Sequence, residues 1–407
     1  MDESAYEKDI SAVAAKFEAQ KIAFAPLAFQ AVRALRDLNI LRAVEKAGNL
    51  GLSREEVAQQ AGISTYGAGV LLEMALGLGV VKWASTPAHV CNTHRAGAST
   101  IQQPMEGPVE CPVERPEERP EEGPEEGPEE RFVERFVLGK TGWFLLEDEM
   151  TEVNFNFVND LCYQGAFRLK EAIQTGKPQG LEVFGCWPTI YDALASLPKE
   201  AQKSWLEFDH FYSSIAFPEA LPLVFRHPKP SSLLDIGGNT AKWAVLCCKY
   251  DNTIQITVAD LPGQTAMAEK NAAAAGFAKR ISTYPCNVLA PGSALPQGHE
   301  AIWMSQFLDC FALEDVTKIC QKVAAVCTAQ TRVYVLEPLW DKQCFEAAAF
   351  SLQATSLYFT CMANGRSKMY RYEELKQAIE AGGLSLTEEW HNLGSNSYSL
   401  LGFRLGT

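Results

Sequence analysis

From Ser231 onward, apolar runs of strand length alternate with helical stretches, and this most constrains what the chain can fold into. The runs are SLLDI, TIQITVAD, RISTY, AIWM and RVYVLE. Between the first three lie a helix over 241–250 and a helix MAEKNAAAAG closed by Gly276. Alternation of this kind predicts an α/β domain with a doubly wound, mostly parallel sheet over residues 226–407. LSLTEEW and SYSLLGFRL add two more strands, the last expected to be antiparallel. The first strand runs into Leu234-Asp-Ile-Gly-Gly-Asn-Thr-Ala241, which opens a helix. Gly237 and Gly238 let backbone approach a ligand closely at a helix N-terminus. Asp260 ends the next strand some 20 residues later, where a carboxylate accepts two ribose hydroxyls. The combination points to an adenosine-type cofactor. It is neither G-x-G-x-x-G nor a phosphate loop, which argues against a dinucleotide or a nucleotide triphosphate.

The N-terminal part reads differently. Ser4–Ala47 places Phe17, Phe24, Leu27, Val32, Leu35, Leu38, Leu41 and Val44 at helical spacing. Ser53-Arg-Glu-Glu56 is a capping box, Gly62 stops that helix, Thr65–Gly77 forms the next, and Val80–Trp83 starts a strand. Helix, turn, helix and hairpin make an all-α, winged-helix-like unit over residues 1–94. DNA binding is disfavoured: TYGAGVLLEMALG contains no Lys or Arg, and a helix facing phosphates needs cations. Its face of Val70, Leu71, Met74 and Leu78 suits burial instead.

Residues 95–133 form a separate segment. ERPEERPEEGPEEGPEERFVERFV repeats Pro-Glu-Glu with Arg or Gly, which forbids both a continuous helix and a core. It reads as a disordered insertion at the tip of the expected hairpin. Glu106 to Glu134 holds twelve Glu and three Arg, a local charge of −9, leaving −5 of the total −14 for the rest. The acidity is local, and nothing in it calls for nucleic acid. Residues 134–225 read as a helical, aromatic-rich linker and acceptor-pocket region, with Trp143, Phe144, Phe155, Phe157, Tyr163 and Phe167, then FDHFYSSIAF. No run of 18 or more apolar residues occurs, so no membrane span is expected, and MDESAYEKDI is not a secretory signal. Twelve cysteines without C-x-x-C spacing suggest reduced thiols in a cytoplasmic protein. His89, Cys91 and His94 lack a fourth ligand, so no metal site is expected.

LLDIGGNTAKW, VADLPG, LGKTGWFLLED and the order of the later elements resemble the S-adenosylmethionine-dependent small-molecule O-methyltransferases of the caffeate and acetylserotonin type. The resemblance covers nearly everything except the acidic insertion. It implies a Rossmann-like catalytic domain, an N-terminal dimerisation domain and a homodimer. It further implies that Asp235, Gly237 and Gly238 cradle the methionine part of S-adenosyl-L-methionine, and that Asp260 and Leu261 hold ribose and adenine. Cys286-Asn287-Val288-Leu289 matches an adenine-contacting stretch, with Asn287 in place of an acid. Asn239 replaces a glycine of the turn, and Ser305 replaces a lysine.

The same resemblance places the family's catalytic histidine at Asp309, in Leu308-Asp309-Cys310-Phe311. Of two flanking glutamates, one matches Glu337 and the other falls on Ser367. A phenol with pKa near ~10 hands its proton to an unshifted aspartate ~8 kcal/mol uphill. Burial beside Glu337 narrows that gap without closing it. Three solutions follow: an acidic acceptor, attack from a ring carbon ortho to a phenol with Asp309 orienting the hydroxyl, or His210 as base. Asp309 also has a structural reading as a helix N-cap, and His210 as an ordinary structural histidine. The expected activity is methyl transfer to a hydroxyl of a small aromatic, phenolic metabolite, free or tethered to a carrier. The alternatives are ring-carbon methylation, or a catalytically degenerate cofactor-binding protein, which Ser305, Asp309 and Ser367 motivate.

Overall fold

A computed structural model describes residues 10–84, 134–213, 215–226, 228–395 and 397–406. The acidic insertion, His89, Cys91 and His94 lie outside the described residues, as does the start of the first expected helix. The chain divides into two compact units, Ser11–Asp148 and Glu149–Thr407. The first unit thus takes in residues 134–148 as well.

The N-terminal unit holds α1 (Ala12–Ala23), α2 (Ala25–Asp37), α3 (Ile40–Ala47), β1 (Leu52–Ser53), α4 (Arg54–Ala61), α5 (Thr65–Gly77), β2 (Val81–Trp83), β3 (Arg135–Leu138) and α6 (Lys140–Glu147). The Ser53 hydroxyl accepts from the Glu56 amide while the Glu56 carboxylate accepts from the Ser53 amide, so the capping box is complete. Gly62 follows in the left-handed region at φ 65°. β2 and β3 pair antiparallel, with Val81 opposite Leu138 and Trp83 opposite Phe136, although residues 84–134 separate them in sequence. β1 completes a sheet of order β1-β3-β2.

The buried face of α5 differs from the expected one. Ala68, Gly69, Leu72 and Ala75 are buried, Val70 is 48% exposed, and Leu71, Met74 and Leu78 are half-buried. Apart from Leu72 the inner face holds small residues, and at Gly69 the neighbouring element is close: a Cβ there would lie 3.1 Å from the Arg54 side chain. α1 buries no residue, and Phe17, Phe24 and Leu27 are exposed, while Val32, Leu35, Leu41 and Val44 fill the core.

The second unit begins with α7 (Glu149–Phe157), α8 (Leu169–Thr175), α9 (Ile190–Ala193), α10 (Lys199–Ser213) and α11 (Phe217–Val224). Then β4 (Ser232–Ile236), α12 (Lys242–Tyr250), β5 (Gln255–Asp260), α13 (Pro262–Ala274), β6 (Ile281–Pro285) and β7 (Ala301–Ser305) alternate. α14 (Leu313–Val326), β8 (Arg332–Glu337), α15 (Glu346–Tyr358), α16 (Tyr372–Ala381), β9 (Leu384–Leu393) and β10 (Tyr398–Leu405) complete it. The seven strands are ordered β6-β5-β4-β7-β8-β10-β9. β4 to β8 are mutually parallel, and β10 inserts antiparallel between β8 and β9. Parallel strands are covered on both faces, so β8 is buried at every position, an apolar run between Arg332 at its start and an acid at its end. Strand order reverses between β4 and β7, and in such sheets the crevice at the strands' carboxyl ends takes the ligand.

Candidate active site

A cleft enclosing about 520 Å³, its open mouth included, lies at this switch point. The turn after β4, the start of α12, the ends of β7 and α10, and three aromatic rings line it. Gly237 at φ 75°, Asn239 at φ 47° and Ala241 at φ 63° put three left-handed residues into five positions. The alanine is the costly one, on the order of 1 kcal/mol, because its Cβ crowds the carbonyl. Asp260 holds the turn in this shape. One carboxylate oxygen accepts from the Asn239 amide at 2.9 Å and the other from the Leu261 amide at 2.7 Å. Each oxygen keeps a lone pair, so two further hydroxyl donors fit. Burial raises the Asp260 pKa, and these two amides oppose that rise.

Space at the turn is exhausted. A Cβ on Gly238 would stand 2.6 Å from Asp235 Oδ2, and one on Gly237 2.2 Å from the Phe307 ring. Asp235 is buried, its Oδ2 has no hydrogen-bond partner, and burial with the nearby Asp260 pushes its pKa up to about 8. A glycine cradle over an unsatisfied carboxylate, with a second carboxylate at the next strand end, fits a cationic ribosyl ligand such as S-adenosylmethionine. Trp243 and Trp303 stack beside it at 3.9 Å with a 9° interplanar angle, and Phe217 meets Trp243 edge-on.

The ends of β7 and β8 carry the other constellation. After Ser305, Gln306 adopts φ 46° and a single 3₁₀ turn spans Leu308–Cys310. Glu337 fastens that turn: Oε1 accepts from the Phe307 amide at 3.0 Å and the Leu308 amide at 2.9 Å. Its Oε2 and Asp309 Oδ1 are both buried without a partner. Burial pushes Asp309 up to about 7, Asp209 adding to the rise, and burial then Asp309 push Glu337 well above the carboxylate range. The Tyr191 hydroxyl is buried beside Cys310, and its pKa is raised by that burial. Asp309 does not cap a helix: α14 begins at Leu313 with Ala312 as its N-cap. The turn containing Asp309 is held from the far side by Asn364, whose Nδ2 donates to the Cys310 carbonyl at 2.9 Å and to Ser367 Oγ at 2.8 Å.

Of the residues expected at the site, Asp235, Gly237, Gly238, Ser305 and His210 line the cleft together. His210 is exposed, with its pKa lowered by burial of its ring and then by Lys242. Asp309 and Glu337 lie buried at the strand ends and do not line the open space. Leu261 is 43% exposed at the α13 N-cap. Asn287 is exposed, and its side-chain oxygen accepts from the Leu289 amide at 2.9 Å, closing a turn. The Val288 carbonyl accepts from Lys322 at 2.6 Å. Asp209, Lys242, Gln306 and Tyr191 were not anticipated. Adjacency to His210 and to the glycine turn was the only signal for the first two. Among the described residues no cluster of three or more His, Cys, Asp or Glu suits a metal, and no helix is long and apolar enough to cross a membrane.

Residues 167–383 match the family model of an O-methyltransferase domain, and residues 16–86 that of a Dimerisation2-like domain. An L-tyrosine C(3)-methyltransferase of Streptomyces lavendulae is 20% identical over 230 residues, spanning 56% of this chain and 61% of that protein. Among solved structures, the S-adenosylmethionine-dependent methyltransferase SibL matches with TM-score 0.64 and 20% identity, covering 95% of this chain and 98% of SibL. Human N-acetylserotonin methyltransferase in complex with SAM matches with TM-score 0.55 and 14% identity, covering 97% and 98%. These structural likenesses concern the fold.

Proposed function

Because this chain belongs to the O-methyltransferase domain family, we propose that it transfers the methyl group of S-adenosyl-L-methionine to a hydroxyl of a small aromatic, phenolic metabolite. The observation that carries this is the cleft at the switch point, with a glycine cradle and Asp235 on one wall and carboxylates at the ends of β7 and β8 beyond the other. The donor supplies an electrophilic methyl carbon on a sulfonium. Asp235, Gly237 and Gly238 receive its methionine part, and Asp260 with Leu261 its ribose and adenine, with Asn287 and Val288 at the outer edge. Asp309 accepts the phenolic proton. At a pKa of about 7 it does so at a cost of ~4 kcal/mol, half that of an ordinary aspartate. Glu337 keeps the Asp309 turn in place through two amides, while burial, with Asp209 adding to it, holds the Asp309 pKa up. His210 stands at the mouth as an alternative base. Labelled donor incubated with a panel of phenols tests the reading, and no transfer to any of them sinks it.

A second reading, methylation of a ring carbon ortho to the hydroxyl, has one observation in its favour. Asp309 Oδ1 is buried without a partner and so is free to hold a hydroxyl, and a phenol that attacks through carbon needs its hydroxyl oriented more than deprotonated. The relative named L-tyrosine C(3)-methyltransferase points the same way. Product NMR separates a methoxy from an aryl-methyl signal.

The protein acts as a homodimer joined through its N-terminal unit. α1 buries nothing of its own, and Val13, Phe17, Ile22, Phe24 and Leu27 are exposed along α1 and α2, an apolar strip that an isolated chain would leave in water.

A further inference from the structure

Two side chains of opposite charge in the cleft have no part in the mechanism described so far. Asp209 projects from near the end of α10 and Lys242 from the first residue of α12, and both line the cleft. Among the described residues, neither forms a hydrogen bond or an ion pair. They nonetheless feel each other: burial lifts the Asp209 pKa to about 6 while Lys242 pulls it down, and burial lowers Lys242 while Asp209 opposes that. Opposite charges thus face one space without forming an ion pair across it. Asp209 is half-buried and Lys242 reaches the same space from an exposed position, so an occupant carrying both signs pairs with both. No cation or anion alone does so. The space between them is bordered by Asn239, Thr240, Ser305 and Gln306, so it is continuous with the glycine turn. Asp209 also acts on Asp309, Tyr358 and Tyr398, which sets it on the side toward the buried carboxyl pair.

We propose that Asp209 and Lys242 form a subsite for an α-amino-acid zwitterion, Asp209 receiving the ammonium group and Lys242 the carboxylate. The proposal rests on the methyltransferase reading, because that reading brings two such groups to the cleft. One is the methionine tail of the donor, and continuity with the glycine turn favours it. The other is the amino-acid end of a tyrosine-like acceptor.

Calorimetry separates these sources. In the first arm, wild-type protein, Asp209→Asn and Lys242→Met are titrated with S-adenosylhomocysteine and with 5′-methylthioadenosine, which lacks the amino-acid tail. Wild type prefers the former, and each substitution cuts that preference about tenfold while methylthioadenosine affinity stays unchanged, which also shows that the variants fold. Lys242→Arg keeps the preference. In the second arm, protein saturated with S-adenosylhomocysteine is titrated with L-tyrosine and with 4-methylphenol. A preference for tyrosine that falls in both variants, with the first arm unchanged, assigns the subsite to the acceptor and supports it equally. Tail preferences unaffected in both arms overturn the subsite alone. Failure of wild type to bind S-adenosylhomocysteine at all sinks the methyltransferase reading, and the subsite with it.

Discussion

The two groups of acids at the strand ends solve the problem of a buried carboxylate in opposite ways. At the ends of β4 and β5, Asp260 spends both oxygens on backbone amides and so fixes a turn that is itself strained. At the ends of β7 and β8, Glu337 spends one oxygen on two amides, and the other oxygen, like Asp309 Oδ1, has no partner. The first end is a shaped cradle whose chemistry is mostly backbone. The second is an electrostatic reservoir, held together by the fold and responsive to protonation. Substitution should therefore break the first end by shape and the second by charge.

The largest expected effect is at the cradle. Gly238→Ala puts a methyl 2.6 Å from Asp235 Oδ2 and should weaken S-adenosylhomocysteine binding by at least ~100-fold in calorimetry, with the far-UV spectrum unchanged. Retained affinity would mean that the turn does not hold the donor. Next, Asp309→Ala should lower methyl transfer by roughly 10²–10³-fold while leaving cofactor affinity within about twofold. Full turnover in that variant would remove Asp309 from the chemistry.

A smaller effect tests charge directly. Asp235 and Asp309 have folded-state pKa values of about 8 and about 7, above those of the unfolded chain. The folded protein therefore binds more protons between about pH 4 and 8, and stability falls as pH rises through that window. Asp309→Asn should raise the melting temperature by about 5 °C at pH 8 and by much less at pH 5. An equal shift at both would show that Asp309 is not held protonated. In the N-terminal unit, Phe24→Glu with Leu27→Glu should convert a dimer to a monomer of 44.8 kDa on gel filtration. The smallest effect belongs to the hairpin. Since β2 and β3 keep their register across residues 84–134, replacing 85–133 by a short glycine-containing turn should change the melting temperature by no more than ~2 °C.

The same contrast explains what the sequence reveals. The cradle was legible because glycine, asparagine and an acid at fixed spacing answer local backbone demands, and Asn239 does adopt the left-handed geometry its type allows. The alternation of strands and helices and the capping box at Ser53 were legible for the same reason, since both rest on short-range patterns. The carboxyl pair was expected through the resemblance, but that Asp309 caps no helix and stands without a partner for one oxygen follows from contacts made by residues far along the chain. Asp209 and Lys242 carried no pattern, because they lie on separate helices and only the fold brings them to one cleft. The inner face of α5 was misread because hydrophobicity ranked Val70 above Ala68, whereas close packing selects for smallness.

The stacked indoles of Trp243 and Trp303 have a practical consequence. Two such rings held almost parallel on the wall of the cleft form an excitonically coupled chromophore, and an arriving adenosine should perturb its near-ultraviolet circular dichroism and quench its emission. Occupancy can then be followed optically in untagged protein, with Trp303→Phe abolishing the couplet as the control.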